Sequence, residues 1–90
     1  MIYKIKYSKK FKTSFKKLNI KSQELVYEVI YKLANDKPLE TKHKDHALRG
    51  KYSGFRDCHV LPDLVLIYRK DKDVLELALA NAGKHAEVFR

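Results

Sequence analysis

Four histidines, His43, His46, His59 and His85, all lie from position 43 onward, and each is a potential acid, base or ligand near neutral pH. Asp45, Asp57, Asp63, Arg49, Lys51 and Arg56 are interspersed with them. Three readings fit this set. His43, His46, His59, Asp63 and His85 offer nitrogen and oxygen ligands that zinc accepts in tetrahedral geometry, but there is no cysteine pair, no HExxH and no closed ligand spacing. The histidines could equally be scattered surface or core residues of a basic protein. The third reading is RNA cleavage without a metal, in which the 2′-hydroxyl is the nucleophile. The protein then has to remove that proton, protonate the leaving 5′-oxygen and offset charge on the phosphoryl oxygens. Histidines with a supporting carboxylate supply the proton transfers and Lys or Arg the charge, while Phe89 or a tyrosine can hold an unstacked base. Spacing alone leaves the three open.

The elements that must position these residues are legible as patterns. IYKIKY (2–7) alternates and is rich in β-branched and aromatic residues, which predicts a strand. Ser8 can cap a following helix, since Phe11, Phe15 and Leu18 repeat at helical spacing among Lys9, Lys10, Lys12, Lys16 and Lys17. A second helix is expected from about Ser22 to Asn35 on a stripe of Leu25, Val26, Val29, Ile30 and Leu33, with Pro38 beyond its end. Residues 35–54 are polar and loop-like. FRDCHV (55–60), LVLIYR (64–69) and VLELALA (74–80), separated by turns at 61–63 and 71–73, predict an antiparallel meander with LVLIY central. The expected architecture is α+β: an N-terminal strand and two helices packed on a small antiparallel sheet, in a single domain over 1–90. Alternation along 55–60 places Phe55, Asp57 and His59 on one side and Arg56, Cys58 and Val60 on the other.

Composition narrows the partner. The chain of 90 residues has a formal net charge of +9, which points to a polyanion. The excess is uneven: residues 1–45 carry 12 basic and 5 acidic side chains, residues 46–90 carry 8 and 6. The lysine run Lys9–Lys17 is either a solvated helix face or a patch for RNA. Hydrophobic content of 44% argues for a packed core. The single cysteine, Cys58, fits a reducing compartment, the cytosol, and reads as a small buried hydrophobe. No run approaches the length of a membrane span, and MIYKIKYSKKFK lacks the apolar centre of an export signal, so the expectation is a protein neither inserted nor exported.

KDHALRGKYSGFRDCHVLPDLVLIYRK (44–70) and GKHAEVF (83–89) together resemble the RelE/ParE superfamily of toxins from type II toxin-antitoxin systems, in the YafQ-like branch of messenger-RNA interferases. The matching runs are DHxLxG, RDxHVxPD with the apolar strand after it, and the terminal HxxxF. The resemblance implies a RelE-like fold and a metal-independent, cofactor-free endoribonuclease that cuts messenger RNA on the ribosome and so inhibits translation. It implies catalysis by His46, His59, Asp63 and His85, with His85 as general acid or base, His46 and Asp63 in the complementary transfer and His59 orienting the phosphate. It further implies substrate binding by Phe89 and a cognate antitoxin whose complex with the toxin binds operator DNA; Arg56, Lys51 and Lys84 are expected to join Phe89 in binding substrate, and the basic helix face to contact ribosomal RNA. A bland role stands beside several of these: Phe89 as a plug of the core, Asp63 as a turn residue, His59 as a sheet residue. Arg56 faces away from His59 if the strand is regular, which favours structural pairing over phosphate contact. His43 falls outside the motifs and reads as a surface residue, and Arg90 as a solvated terminal charge.

Two positions depart from the family pattern. Where the family often has an arginine two residues before the last glycine and a small hydroxyl residue after it, this chain has Asn81 and Lys84. The first removes a bidentate cation, and the second supplies a point charge nearby. The competing functional class is a ParE-like toxin that inhibits a protein target such as DNA gyrase, which has no need of His46, His59 and His85 together. A third is a basic module that only binds nucleic acid.

Overall fold

The computed structural model describes residues 1–89, and Arg90 lies outside the described residues. Its strands and helices are β1 (Lys4–Tyr7), α1 (Lys9–Lys16), α2 (Ile20–Ala34), β2 (His46–Ala47), β3 (Arg56–Leu61), β4 (Leu64–Asp71), β5 (Glu76–Lys84) and α3 (His85–Val88), with single 3₁₀ turns at Thr41–His43 and Gly50–Tyr52. The sheet order is β1-β5-β4-β3-β2. The β3-β4-β5 meander is antiparallel as expected, and β1 joins it parallel to β5, with Lys4 opposite Glu76 and Tyr7 opposite Leu79. The α+β class read from the sequence therefore stands, with the sheet mixed through β1.

Local chemistry explains the helix boundaries. Ser8 Oγ accepts the Phe11 N–H at 3.0 Å and donates to the Ala80 carbonyl at 2.8 Å, so one hydroxyl both caps α1 and ties it to β5. α2 begins earlier than Ser22 because Asn19 is the cap, accepting the Ser22 N–H at 2.8 Å. Gln23 donates to the Phe15 and Leu18 carbonyls at 3.1 and 3.3 Å, satisfying acceptors that the end of α1 leaves free.

The two faces of the sheet are covered differently. Phe11, Val26, Val29, Ile30 and Leu33 from the helices pack on Cys58, Val60, Leu64, Leu66, Tyr68, Leu77 and Leu79. On the other face Val65, Ile67 and Val88 form a smaller cluster with Leu48, Tyr52, Phe55, Ala80 and Phe89. β4 is central and covered on both sides, so residues 64–68 are all buried, which is why LVLIY is apolar without alternation. β5 is displaced from its expected span: Val74 and Leu75 are in the turn, and the strand continues through Asn81, Ala82 and Gly83 to Lys84. Pairing of Leu64–Ile67 with Asn81–Lys84 outweighs the weak strand preference of those small residues.

Candidate active site

Alternation along β3 sends Cys58 and Val60 into the helix-side core and turns Asp57 and His59 to the opposite face, as the sequence predicts. β2 pairs with β3 in the register that sets His46 opposite Asp57. His46 Nε2 lies 3.7 Å and His59 Nε2 3.8 Å from the same oxygen, Oδ2 of Asp57. Beyond β5 the short α3 brings in the third imidazole, with the His85 ring 6.0 Å from that of His59 and 4.7 Å from the Phe89 ring. The Phe89 ring meets Tyr52 edge-on at 5.8 Å, and the Tyr52 hydroxyl donates to the Val88 carbonyl at 3.3 Å. Three histidines from three segments thus converge around one carboxylate, with an aromatic wall beside them.

Two tautomers follow from carbonyl contacts, since a carbonyl oxygen only accepts. His46 Nδ1 stands 2.7 Å from the Lys44 carbonyl, so its Nδ1 carries the proton and, in the neutral ring, Nε2 is a free acceptor. His43 Nδ1 stands 2.7 Å from the carbonyl of His59, so His43 donates to the strand that bears His59. His43 is 7% exposed, which corrects its reading as a surface residue: it is a buried strut of the site, and its place in a polar, loop-like segment hid that. Asp57 is 2% exposed. Its burial pushes the carboxyl above the ordinary carboxylate range, while His59, His46 and His85 pull it back.

The model of the family described as "Bacterial toxin of type II toxin-antitoxin system, YafQ" matches residues 3–90. The chain belongs to the YafQ family. The mRNA interferase toxin YafQ of Escherichia coli K12 is 36% identical over 87 residues, covering 97% of this chain and 91% of that protein. The E. coli YafQ of a solved DinJ–YafQ toxin-antitoxin complex superposes with a TM-score of 0.84 at 30% identity, covering all of both chains. A copper-bound mutant toxin from Helicobacter pylori gives 0.85 at 36% identity, covering 99% of this chain and 100% of that one. In the present chain, no group of three His, Cys, Asp or Glu among the described residues is arranged to hold a metal ion.

On this YafQ-family scaffold the remaining candidate residues fall into separate places. Asp63 is exposed in the β3-β4 turn, where its carbonyl accepts the His85 N–H at 3.3 Å, so the turn and the start of α3 are joined. Lys51 and Lys84 are exposed and, with Lys10, Lys17, Tyr52 and Asn81, line a cleft of about 610 Å³ between α1 and the end of β5. Lys51 Nζ sits 5.4 Å from the Tyr52 ring centre. Asn81 is 5% exposed, and its Oδ1 accepts the Ala82 N–H at 2.9 Å.

Arg56 is on the other side of β3 from the histidines, with Nε and one terminal nitrogen each 3.3 Å from the two oxygens of Asp45. The Tyr68 hydroxyl donates to the same Asp45 at 2.6 Å. The geometry therefore gives Arg56 the structural pairing that alternation favoured. Cys58 is fully buried and its thiol is pushed far up by that burial. The group that sequence reading left out of the site is Asp57, although alternation already put it on the face of His59.

Proposed function

We propose that this protein is a messenger-RNA endoribonuclease, the toxin of its toxin-antitoxin pair, acting on the ribosome by metal-independent transesterification. The observation that carries the reading is the convergence of His46, His59 and His85 with Phe89 on the face of the sheet opposite α1 and α2, in a chain of the YafQ family. The relative named an mRNA interferase supports the substrate, and the DinJ–YafQ complex supports an antitoxin as partner.

In this mechanism the 2′-hydroxyl proton passes to Nε2 of His46, the acceptor nitrogen left free by the Lys44 carbonyl, with His59 Nε2 as the neighbouring base. The 2′-oxygen bonds to phosphorus, the bond from phosphorus to the 5′-oxygen breaks, and His85 donates the proton that the leaving oxygen needs. The products are a 2′,3′-cyclic phosphate and a 5′-hydroxyl. Phe89 stacks on the unstacked base, and Asp63 anchors the turn against which His85 sits and assists the proton transfers. Lys51 and Lys84 offset the phosphate charge, and the lysine face of α1 contacts ribosomal RNA. The antitoxin covers this basic surface, and the pair binds operator DNA. The place of action is the cytoplasm, and no helix among the described residues is long and apolar enough to cross a membrane.

The test is induced expression of wild type beside His85→Ala and His46→Ala, recording growth and mapping message ends by primer extension. Growth arrest with new in-frame ends, lost in both variants, is expected. Equal arrest by the variants without new ends overturns the nuclease reading in favour of a protein target.

A further inference from the structure

Among the described residues Asp57 is the one carboxylate in contact range of two of the histidines, and the roles given above to His46, His59, Asp63 and His85 leave it unused. Its position is unusual on three counts. It is 2% exposed, in a strand covered by Ile67 of β4 on one side and His46 of β2 on the other. Its Oδ1 is buried with no hydrogen-bond partner among the described residues, an arrangement that costs stability and is kept only where something offsets it. Its Oδ2 faces Nε2 of His46 at 3.7 Å and Nε2 of His59 at 3.8 Å.

With Nδ1 of His46 committed to the Lys44 carbonyl, the neutral ring turns a lone pair toward Oδ2. Lone pair and carboxylate repel each other, and the contact becomes attractive only once a proton arrives on Nε2. The geometry therefore favours the state of His46 that exists after proton abstraction over the state before it, and such differential stabilisation is what accelerates a step. The same oxygen stands 3.8 Å from Nε2 of His59, so the stabilisation is available whichever imidazole takes the proton.

We propose that Asp57 is the positioning residue of the base side of the site: one buried carboxylate shared by His46 and His59, which orients both rings and stabilises the imidazolium formed on either. The inference rests on the nuclease reading above. The charged and titratable groups that face Asp57 are His46 from β2, His59 from its own strand and His85 from α3, with Asp45 farther along the same loop as an opposing charge. All three imidazoles favour its ionised form and Asp45 disfavours it.

The experiment compares wild type, Asp57→Asn, His46→Ala and His59→Ala as full-length proteins, cleaving message on programmed ribosomes across a pH series. For Asp57→Asn we expect an unchanged KM, a kcat lower by about 10- to 100-fold, by analogy with the loss of a carboxylate partner from a metal-bound histidine, and an acidic limb of the kcat profile displaced to lower pH. A merely structural Asp57 would change the folded fraction and leave the profile where it is, and a wild-type kcat and profile in Asp57→Asn overturn the proposal. Should Asp57→Asn fail to fold, the Asp57 carboxyl carbon is followed by NMR in the other three proteins. Its titration moves to higher pH in both His46→Ala and His59→Ala if the carboxylate is shared, and absence of displacement in either refutes sharing. Full cleavage by both histidine variants would instead sink the base assignment, an outcome separate from the carboxyl titration.

Discussion

Arg56 offers a sharp test of whether the two faces of β3 are functionally separate. If its role is to hold Asp45, Arg56→Ala removes a paired contact at 3.3 Å whose arginine side chain is 42% exposed. Solvent screening limits the loss to about 0.5–1 kcal/mol. Tyr68→Phe removes the 2.6 Å bond from a 2%-exposed tyrosine to the same carboxylate, a charge-assisted contact in a drier place worth about 2 kcal/mol. Unfolding entropy of a chain of 90 residues is on the order of 0.2 kcal/mol per degree, so the midpoints should fall by about 3–5 °C and about 10 °C respectively. The double variant should fall by less than the sum, because both contacts end on Asp45. Thermal unfolding by circular dichroism measures this, and steady-state cleavage at a temperature where all variants are folded measures function. Arg56→Ala should keep the wild-type KM and the wild-type salt dependence of binding. A raised KM with a salt slope shallower by about one ion, at an unchanged midpoint, would refute the structural role and return Arg56 to the substrate.

Asp57→Asn should also change stability in a pH-dependent way. Burial raises the folded-state value of Asp57 above its unfolded one, so folding favours the protonated carboxyl, and stability present at low pH is lost as pH rises through the raised value. The amide escapes that loss: its unfolding midpoint should exceed wild type at neutral pH and match it below the ordinary carboxylate range, in a pH series of thermal melts. Phe89→Ala should raise KM for RNA about 5- to 150-fold, corresponding to about 1–3 kcal/mol for one stacked base; an unchanged KM with a lowered melting point would make Phe89 a core plug beside Tyr52. Cys58, fully buried with its thiol pushed up, should resist a thiol reagent at neutral pH and react only on denaturation, which a mass-spectrometric labelling time course reads directly.

Much of the fold was legible because its signals are local. The Phe11–Phe15–Leu18 stripe, the LVLIY run and the alternation of β3 each follow from a period of side chains against one face. What escaped were features created by contact between distant segments. The parallel pairing of β1 with β5 leaves no mark on either sequence, because a four-residue edge strand can satisfy its backbone on either partner. The extension of β5 through Asn81–Lys84 depends on β4 offering its edge there. In the site, the motifs pointed to His46, His59 and His85, which the structure brings to one face. Asp57 was placed on the right face but not recognised, since a carboxylate two residues from a histidine is an ordinary strand pattern. Only the register of β2, with His46 opposite Asp57, puts a second imidazole on it.

That register raises a mechanical question, because β2 is two residues long and lies at the edge of the sheet, where so short a pairing contributes little by itself. A base carried there would be poorly positioned without other restraints. The flanking residues supply them in alternation. His43 donates to the His59 carbonyl at 2.7 Å, Asp45 is gripped from the helix side by Tyr68 and Arg56 at 2.6 and 3.3 Å, and Leu48 donates its N–H to the Phe55 carbonyl at 2.9 Å. His46 therefore sits between two contacts to backbone carbonyls of residues 55 and 59 and one side-chain grip from the helix side of the sheet. This gives the buried Tyr68–Asp45 contact a consequence beyond stability: loosening it should let the His46 ring wander from Asp57 while leaving His59 in place. Tyr68→Phe is accordingly expected to lower kcat even where the protein is fully folded, whereas a volume-conserving change in the helix-side core such as Leu66→Met, which removes none of these hydrogen-bonding groups, should leave it unchanged. Equal kcat values for Tyr68→Phe and wild type at such a temperature would mean that β2 pairing alone positions the base.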